Sequence, residues 1–273
     1  MALFLERYRR IMSGQNVERN ANPQAAARGR GPTNGSAGYL LTLRPGGAQA
    51  RLAQSTLAVS DPTGQVLLQA NAQSGSIQID PEGRLAYSDG YTITRWNPAT
   101  RQSRSFAYSF PDHYGSEDFD GMVALPGGRT LVIGTAGNVR PHLVSVHHPD
   151  GSPGWSIDLA NEGGATIDEI FVSNDRGRIY LSCHHNGSGH AVHRLRVAEL
   201  AWEKLTFHPS KTMFEYRALV TENEEILLLQ GARVQRYCSR GVLRKKYDSL
   251  SALHRDLGGP ARTLARVPLG EPV

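Results

Sequence analysis

The chain has 273 residues, 39% hydrophobic and only 7% aromatic, with 29 glycines and 15 prolines, the composition of a lean core interrupted by many turns. The formal net charge is +5, and +4 of it lies in residues 1–38, where Arg7, Arg9, Arg10, Arg19, Arg28 and Arg30 outnumber Glu6 and Glu18, so the rest of the chain is close to neutral. This leaves the basic arm as the only candidate contact with nucleic acid. The chain contains two cysteines without Cys-x-x-Cys spacing, which argues against a zinc ribbon or redox pair, and no run of 18 apolar residues that would cross a membrane. Two reduced thiols fit a cytoplasmic protein.

Residues 2–13 read as a short amphipathic helix, with Leu3, Phe4, Tyr8 and Ile11 at helical spacing and Glu6, Arg7, Arg9 and Arg10 largely on the other side. A helix of this length is marginal alone in water and needs a partner surface, either its own domain or another molecule. Residues 14–38 hold Gly, Asn, Ala, Pro and Arg with almost no large apolar side chain, which is the composition of a flexible linker. Helix and tether together have the form of a docking arm, with Leu3, Phe4, Arg7, Tyr8, Arg10 and Ile11 as its candidate contacts.

From residue 39 to 273 the chain is strands and turns, and one hairpin recurs. Asp80-Pro-Glu-Gly-Arg-Leu-Ala-Tyr, Leu125-Pro-Gly-Gly-Arg-Thr-Leu-Val-Ile, Asn174-Asp-Arg-Gly-Arg-Ile-Tyr-Leu and Glu222-Asn-Glu-Glu-Ile-Leu-Leu-Leu are four versions of it, at steps of 45, 49 and 48 residues. Such a period, filled with short strands, predicts an all-β β-propeller built from four-stranded antiparallel blades. The second blade is expected at 76–80, 84–88, 91–96 and 103–108, and the third at 121–125, 130–134, 142–147 and 154–159. The fourth is expected at 168–173, 178–183, 191–197 and 202–207, and the fifth at 216–221, 225–230, 233–238 and 242–247. The first blade shows only three strands, at 39–43, 55–60 and 65–70, so the C-terminal segment 261–267 is expected to supply its missing strand and close five blades. A sixth blade from 250–273 and 36–52 is the alternative.

The Asp/Asn-x-x-Gly-Arg-Ile/Leu-Tyr hairpins between residues 75 and 247 resemble bacterial propellers of the NHL, SMP-30/gluconolactonase and PQQ-like kinds, with no single family matched. The Gly-His…Trp-Asp signature of WD40 repeats is absent. Acidic residues recur where the first strands of successive blades begin: Asp118 and Asp120, Asp168 and Glu169, and Glu215. Around one axis they would form an arc at a channel mouth, with hard oxygen atoms suited to Ca²⁺ or another divalent cation. Phe119-Asp120-Gly121-Met122 followed by Gly127-Gly128-Arg129-Thr130 resembles the Pro-Asp-Gly-Met segment of SMP-30-like lactonases. That resemblance implies Asp120 as a metal ligand and candidate base. The acidic arc itself offers Asp168, Glu169 and Glu215 as further catalytic candidates and Asp118, Asp168 and Glu215 as further ligands. The family's early Glu-Gly-Pro and its Asn-Gly-Leu have no counterpart here, and Phe119 replaces its Pro.

A five-bladed glycosidase with paired carboxylates needs acids in the first two blades, which offer none there. A lectin with one sugar pocket per blade needs closer repeats than these. Histidines cluster at Cys183, His184, His185, His190 and His193, with His142, His147 and His148 one blade earlier, and His and Cys are metal ligands. Alternation along a strand sets adjacent members on opposite faces, and it separates His190 from His193 too. The expectation from sequence is a non-catalytic interaction or scaffold protein, without a cofactor, that binds a protein partner through its loops and arm. The alternative is a metal-dependent, lactonase-like hydrolase.

Overall fold

The computed structural model describes residues 39–43, 46–73, 76–110, 117–136, 141–162, 164–187, 189–209 and 216–267. The helix expected at 2–13, the linker 14–38 and Glu215 lie outside the described residues. Five antiparallel sheets follow one another along the chain. Sheet one is β1 (Tyr39–Thr42), β2 (Gln49–Ala53), β3 (Thr56–Ser60) and β4 (Val66–Asn71). Sheet two is β5 (Gln78–Ile79), β6 (Leu85–Ser88), β7 (Thr92–Trp96) and β8 (Ser103–Ala107). Sheet three is β9 (Glu117–Ala124), β10 (Thr130–Ala136), β11 (Leu143–His147) and β12 (Pro153–Asp158). Sheet four is β13 (Ala165–Val172), β14 (Arg178–His185), β15 (Gly189–Arg196) and β16 (Ala201–His208). Sheet five is β17 (Arg217–Val220), β18 (Ile226–Gln230), β19 (Arg233–Tyr237) and β20 (Leu243–Tyr247). A helix, α1 (Leu250–Asp256), and a last strand, β21 (Ala265–Val267), end the described chain.

Each sheet is a simple meander, and the sheets stack face to face in chain order. Four apolar clusters record this. Leu41, Leu52 and Leu57 pack with Leu85 and Trp96 between sheets one and two. Ala86 and Ile93 pack with Met122 and Val132 between two and three. Val123, Leu131 and Val146 meet Ile170, Leu181 and Cys183 between three and four. Phe171, Tyr180 and Val192 meet Ala218, Ile226 and Leu228 between four and five. None of these clusters joins sheet five to sheet one. The sheets also approach one another at their first strands, β5 to β9 and β13 to β17.

The first sheet corrects the sequence expectation. It takes its fourth strand from β2, which pairs with both β1 and β3. The C-terminal strand β21 pairs instead with β13, as a fifth strand of sheet four. Residues 250–256 form α1, where Ser249 caps the helix by accepting from the Ala252 N–H and Leu253 is buried against sheet five. The recurring Gly-Arg hairpin fastens neighbouring sheets at the end where second strands begin. Arg129 donates to the Val197 carbonyl at 2.8 Å, and Arg178 pairs with Glu224 at 2.8 Å. Buried Arg95 reaches across from sheet two to the Gly128 and Arg129 carbonyls. Among the described residues, no helix is long and apolar enough to cross a membrane.

Candidate functional site

In a four-strand meander the start of the first strand, the end of the second, the start of the third and the end of the fourth share one edge. In sheet three that edge carries Asp120, Thr135, His142 and Asp158, and in sheet four Asp168, His184, His190 and His208. Both aspartates owe their place to the same irregularity. On β9 the register jumps from Ile133↔Gly121 to Gly134↔Phe119, which leaves Asp120 as the extra residue of a β-bulge. On β13 it jumps from Ile167↔Cys183 to Glu169↔Ser182, which leaves Asp168. A bulge re-aims its extra side chain, so the acids lie over the second strand of their own sheet. Gly134 makes room for the first bulge, since a Cβ there would sit 2.7 Å from the Asp118 carbonyl oxygen.

The two acids live in different surroundings. Asp120 accepts from the Thr135 hydroxyl at 2.5 Å. Burial raises its pKa above the usual carboxylate range, with the Thr135 bond opposing and the charge of exposed Asp118 adding to it. Asp168 is about a third exposed, at 31% for its side chain, and its Oδ1 lies 2.7 Å from His184 Nδ1. The Thr166 hydroxyl holds the other ring nitrogen of His184 at 2.8 Å, so the imidazole is fixed at both ends. His190 Nε2 lies 3.1 Å from Ser182 Oγ, and its Nδ1 lies 3.9 Å from Asp168 Oδ2. Burial pulls the pKa of His190 down to about 4, although Asp168 opposes the fall.

Ser182, His190 and Asp168 are thus a Ser-His-Asp set that the sequence spacing did not suggest. Ser182 is 1% exposed, and the 3.9 Å gap from imidazole to carboxylate exceeds hydrogen-bond range. The set is a buried polar network that ties three strands together, not a reachable nucleophile. A separate polar pair reaches sheet five from His208, the register partner of His190, which bonds to the Tyr237 hydroxyl, while Tyr237 donates to Gln235 at 2.7 Å.

The opposite face of sheet four carries the rest of the histidine cluster. His193 stacks on Trp202 with ring centroids 4.7 Å apart, and on His185 at 5.8 Å. Burial lowers the pKa of His193 to about 3 and raises that of the Cys183 thiol. His190 and His193 lie on opposite faces, as strand alternation requires. Among the described residues, no three His, Cys, Asp or Glu side chains converge as a metal site. Glu169, the remaining candidate acid, accepts at Oε1 from Arg217, at 3.0 and 2.8 Å, and pairs there with Arg266 at 3.0 Å.

No protein-family model matches the chain, and no curated protein matches it. Solved structures do. The Dos1 propeller is 11% identical, with a TM-score of 0.51 over 85% of this chain and 59% of that one. The fold is a β-propeller. Dipeptidyl peptidase 4 of Porphyromonas gingivalis is 9% identical, with a TM-score of 0.53 over 77% of this chain and 38% of that one. The propeller therefore spans less than two thirds of either protein's length. A gluconolactonase of Xanthomonas campestris is 15% identical over 91% of this chain and 93% of its own, but its TM-score of 0.41 is too low to bear on activity.

Proposed function

We propose that this propeller is a non-catalytic interaction module, a cytoplasmic bacterial scaffold or accessory subunit. It binds a protein partner through the loops at the blade edge that carries Asp120 and Asp168. The arm formed by Leu3, Phe4, Arg7, Tyr8, Arg10 and Ile11 docks on a second surface of the same assembly. The observation that carries this reading is the internal commitment of the candidate acids. Asp120 is bonded to Thr135, Asp168 to His184, and Glu169 to Arg217 and Arg266. Each of these acids already accepts from the protein on one oxygen, so a cation would compete with those bonds for the carboxylates, and a hydrolase would have to turn one structural acid into a base.

Two binding elements on a flexible tether raise affinity through effective concentration. Deleting residues 1–30 is therefore expected to lower the yield of a co-purified partner by roughly tenfold or more. Unchanged association with every partner removes the docking role. Calorimetric titration with Ca²⁺ is expected to give no binding heat. A saturable heat that Asp120→Ala abolishes would favour the metal-dependent, lactonase-like alternative.

A further inference from the structure

We propose that the inner edge of blades four and five is a binding groove for an extended, arginine-bearing peptide segment, and that the chain's own residues 262–267 are its resident occupant. Among the described blades, only blade four carries a fifth strand, and that strand is the last described one. The segment crosses from one blade to the next. On β17 its Leu264 N–H donates to the Val220 carbonyl at 2.8 Å, and its Arg262 carbonyl accepts from the Glu222 N–H at 2.9 Å. On β13 it pairs Ala265 with Val172, Arg266 with Phe171 and Val267 with Ile170. Main-chain bonds of this kind are indifferent to sequence, so selectivity rests on alternate side chains. Leu264 is buried in the core between blades four and five. Two residues on, the Arg266 guanidinium lies 5.5 Å from the centre of the Phe171 ring and 3.0 Å from Glu169 Oε1.

Around buried Leu264 the segment is largely exposed, and its contact with Glu169 is one-sided. Arg262, Thr263, Ala265 and Arg266 are all exposed. Arg217 and Arg266 both use Oε1 of Glu169, while Oε2 is buried without a hydrogen-bond partner. A buried carboxylate oxygen left unpaired is costly, and a guanidinium fork that spans both oxygens is the stronger arrangement. A partner segment that keeps the main-chain bonds of 262–267 but presents its arginine as a fork to both oxygens would fill Oε2 as well. The segment hangs from Gly258-Gly259-Pro260, where Gly258 has φ +70° and a Cβ on either glycine meets no atom within 4 Å. These glycines are the hinge at which the segment would turn away from the groove.

This inference deepens the binding reading above and rests on it only for the existence of a partner. Its test uses the chain's own segment as the probe. A protease site placed at 258–260 lets the folded protein be cut, after which a dye-labelled peptide of residues 261–267 is added in excess. The cut protein is expected to take up the peptide saturably as its own fragment leaves, whereas the uncut protein takes up none. A peptide carrying Arg266→Ala, and a cut protein carrying Glu169→Gln, should each bind about tenfold more weakly. Retention of the fragment without exchange overturns the proposal, as does equal uptake of both peptides. A chain ending at residue 260 is measured in parallel. Loss of the fold in both the cut and shortened proteins makes the segment a structural strand and also overturns the proposal. Peptide uptake can fail while arm deletion still abolishes partner capture, and the reverse, so the two readings fail separately.

Discussion

Blades one and four are built from the same four-strand unit and are buried in opposite ways. Along β14, seven consecutive residues from Ile179 to His185 are buried, because blade three covers one face of the sheet and blade five the other. Along β2 burial alternates strictly, since among the described residues only blade two packs its apolar side chains against blade one. The outward row of blade one, Leu40, Arg51 and Gln69, is exposed, with Leu40 at 49%. Blade five, at the other end of the array, has its outward face covered by α1 through Leu253. Burial in a stacked repeat is thus set by the neighbours a blade has, and among the described residues the outward faces of blades one and five are covered differently.

The largest expected contrast uses one chemical change at two places. Leu181→Ala in blade four removes a fully buried side chain from the interface with blade three and should cost about 2–5 kcal/mol in urea unfolding. A loss below about 1 kcal/mol would show that the stacked interface collapses around the cavity, which close-packed blades should resist. Next comes the β14–β15 turn. A Cβ at Gly189 would lie 1.9 Å from the His208 carbonyl oxygen, at a φ of +121°, so Gly189→Ala must push two strands apart. It should cost roughly 3 kcal/mol, whereas Gly187→Ala, at φ +70° with no atom within 4 Å, should cost about 1 kcal/mol. Equal melting temperatures for the two variants would break that assignment.

The repeat itself was readable because its turns carry the signal. Gly83 at φ +81° and Gly127 at +69° supply backbone that other residues rarely adopt, and the strands expected after them match β6 and β10 closely. β2 escaped because Gln-Ala-Arg-Leu-Ala holds no β-branched or aromatic residue, and Ala50 with Leu52 is too short an alternation to stand out. α1 escaped because a seven-residue helix leaves little periodicity beyond its Ser249 cap. The acidic starts of the first strands were legible as residues but not as geometry. A bulge exists only relative to the partner strand, so nothing in one strand shows that Asp120 and Asp168 are each the extra residue. For the same reason the pairing of Asp168 with His184, and of Glu169 with two arginines, could not be read from spacing.

Blade four should also be the more acid-sensitive end. Four of its histidines are held toward the neutral form: the pKa is about 4 for His190 and about 3 for His193, and His185 and His208 are lowered as well, all chiefly by burial. In the unfolded chain they take up protons near pH 6.5. Their folded pKa values lie lower, so the unfolded state binds more protons in between, and stability falls as pH drops. The contribution is complete above about pH 6.5, declines by at most about 1.4 kcal/mol per pH unit for each histidine, and stops changing below the folded values. Urea midpoints at pH 7.5, 6.5, 5.5 and 4.5 check this, and His193→Phe should flatten the slope while keeping the stack on Trp202. A stability that is level from pH 7.5 to 5 contradicts the burial of these rings.

The smallest effect is expected from Leu40→Ala, and it tests blade one directly. Leu40 lies opposite Arg51 on the outward face, so truncating it removes little area that folding had taken from water. The change should stay within about 0.5 kcal/mol, as for other surface sites away from caps and networks. Measurement at two protein concentrations a hundredfold apart makes the result decisive. A loss above about 1.5 kcal/mol that grows with concentration would mean that a second copy covers this face in solution. A similar loss independent of concentration would point to cover from within the chain, and blade one would then be capped as blade five is by α1.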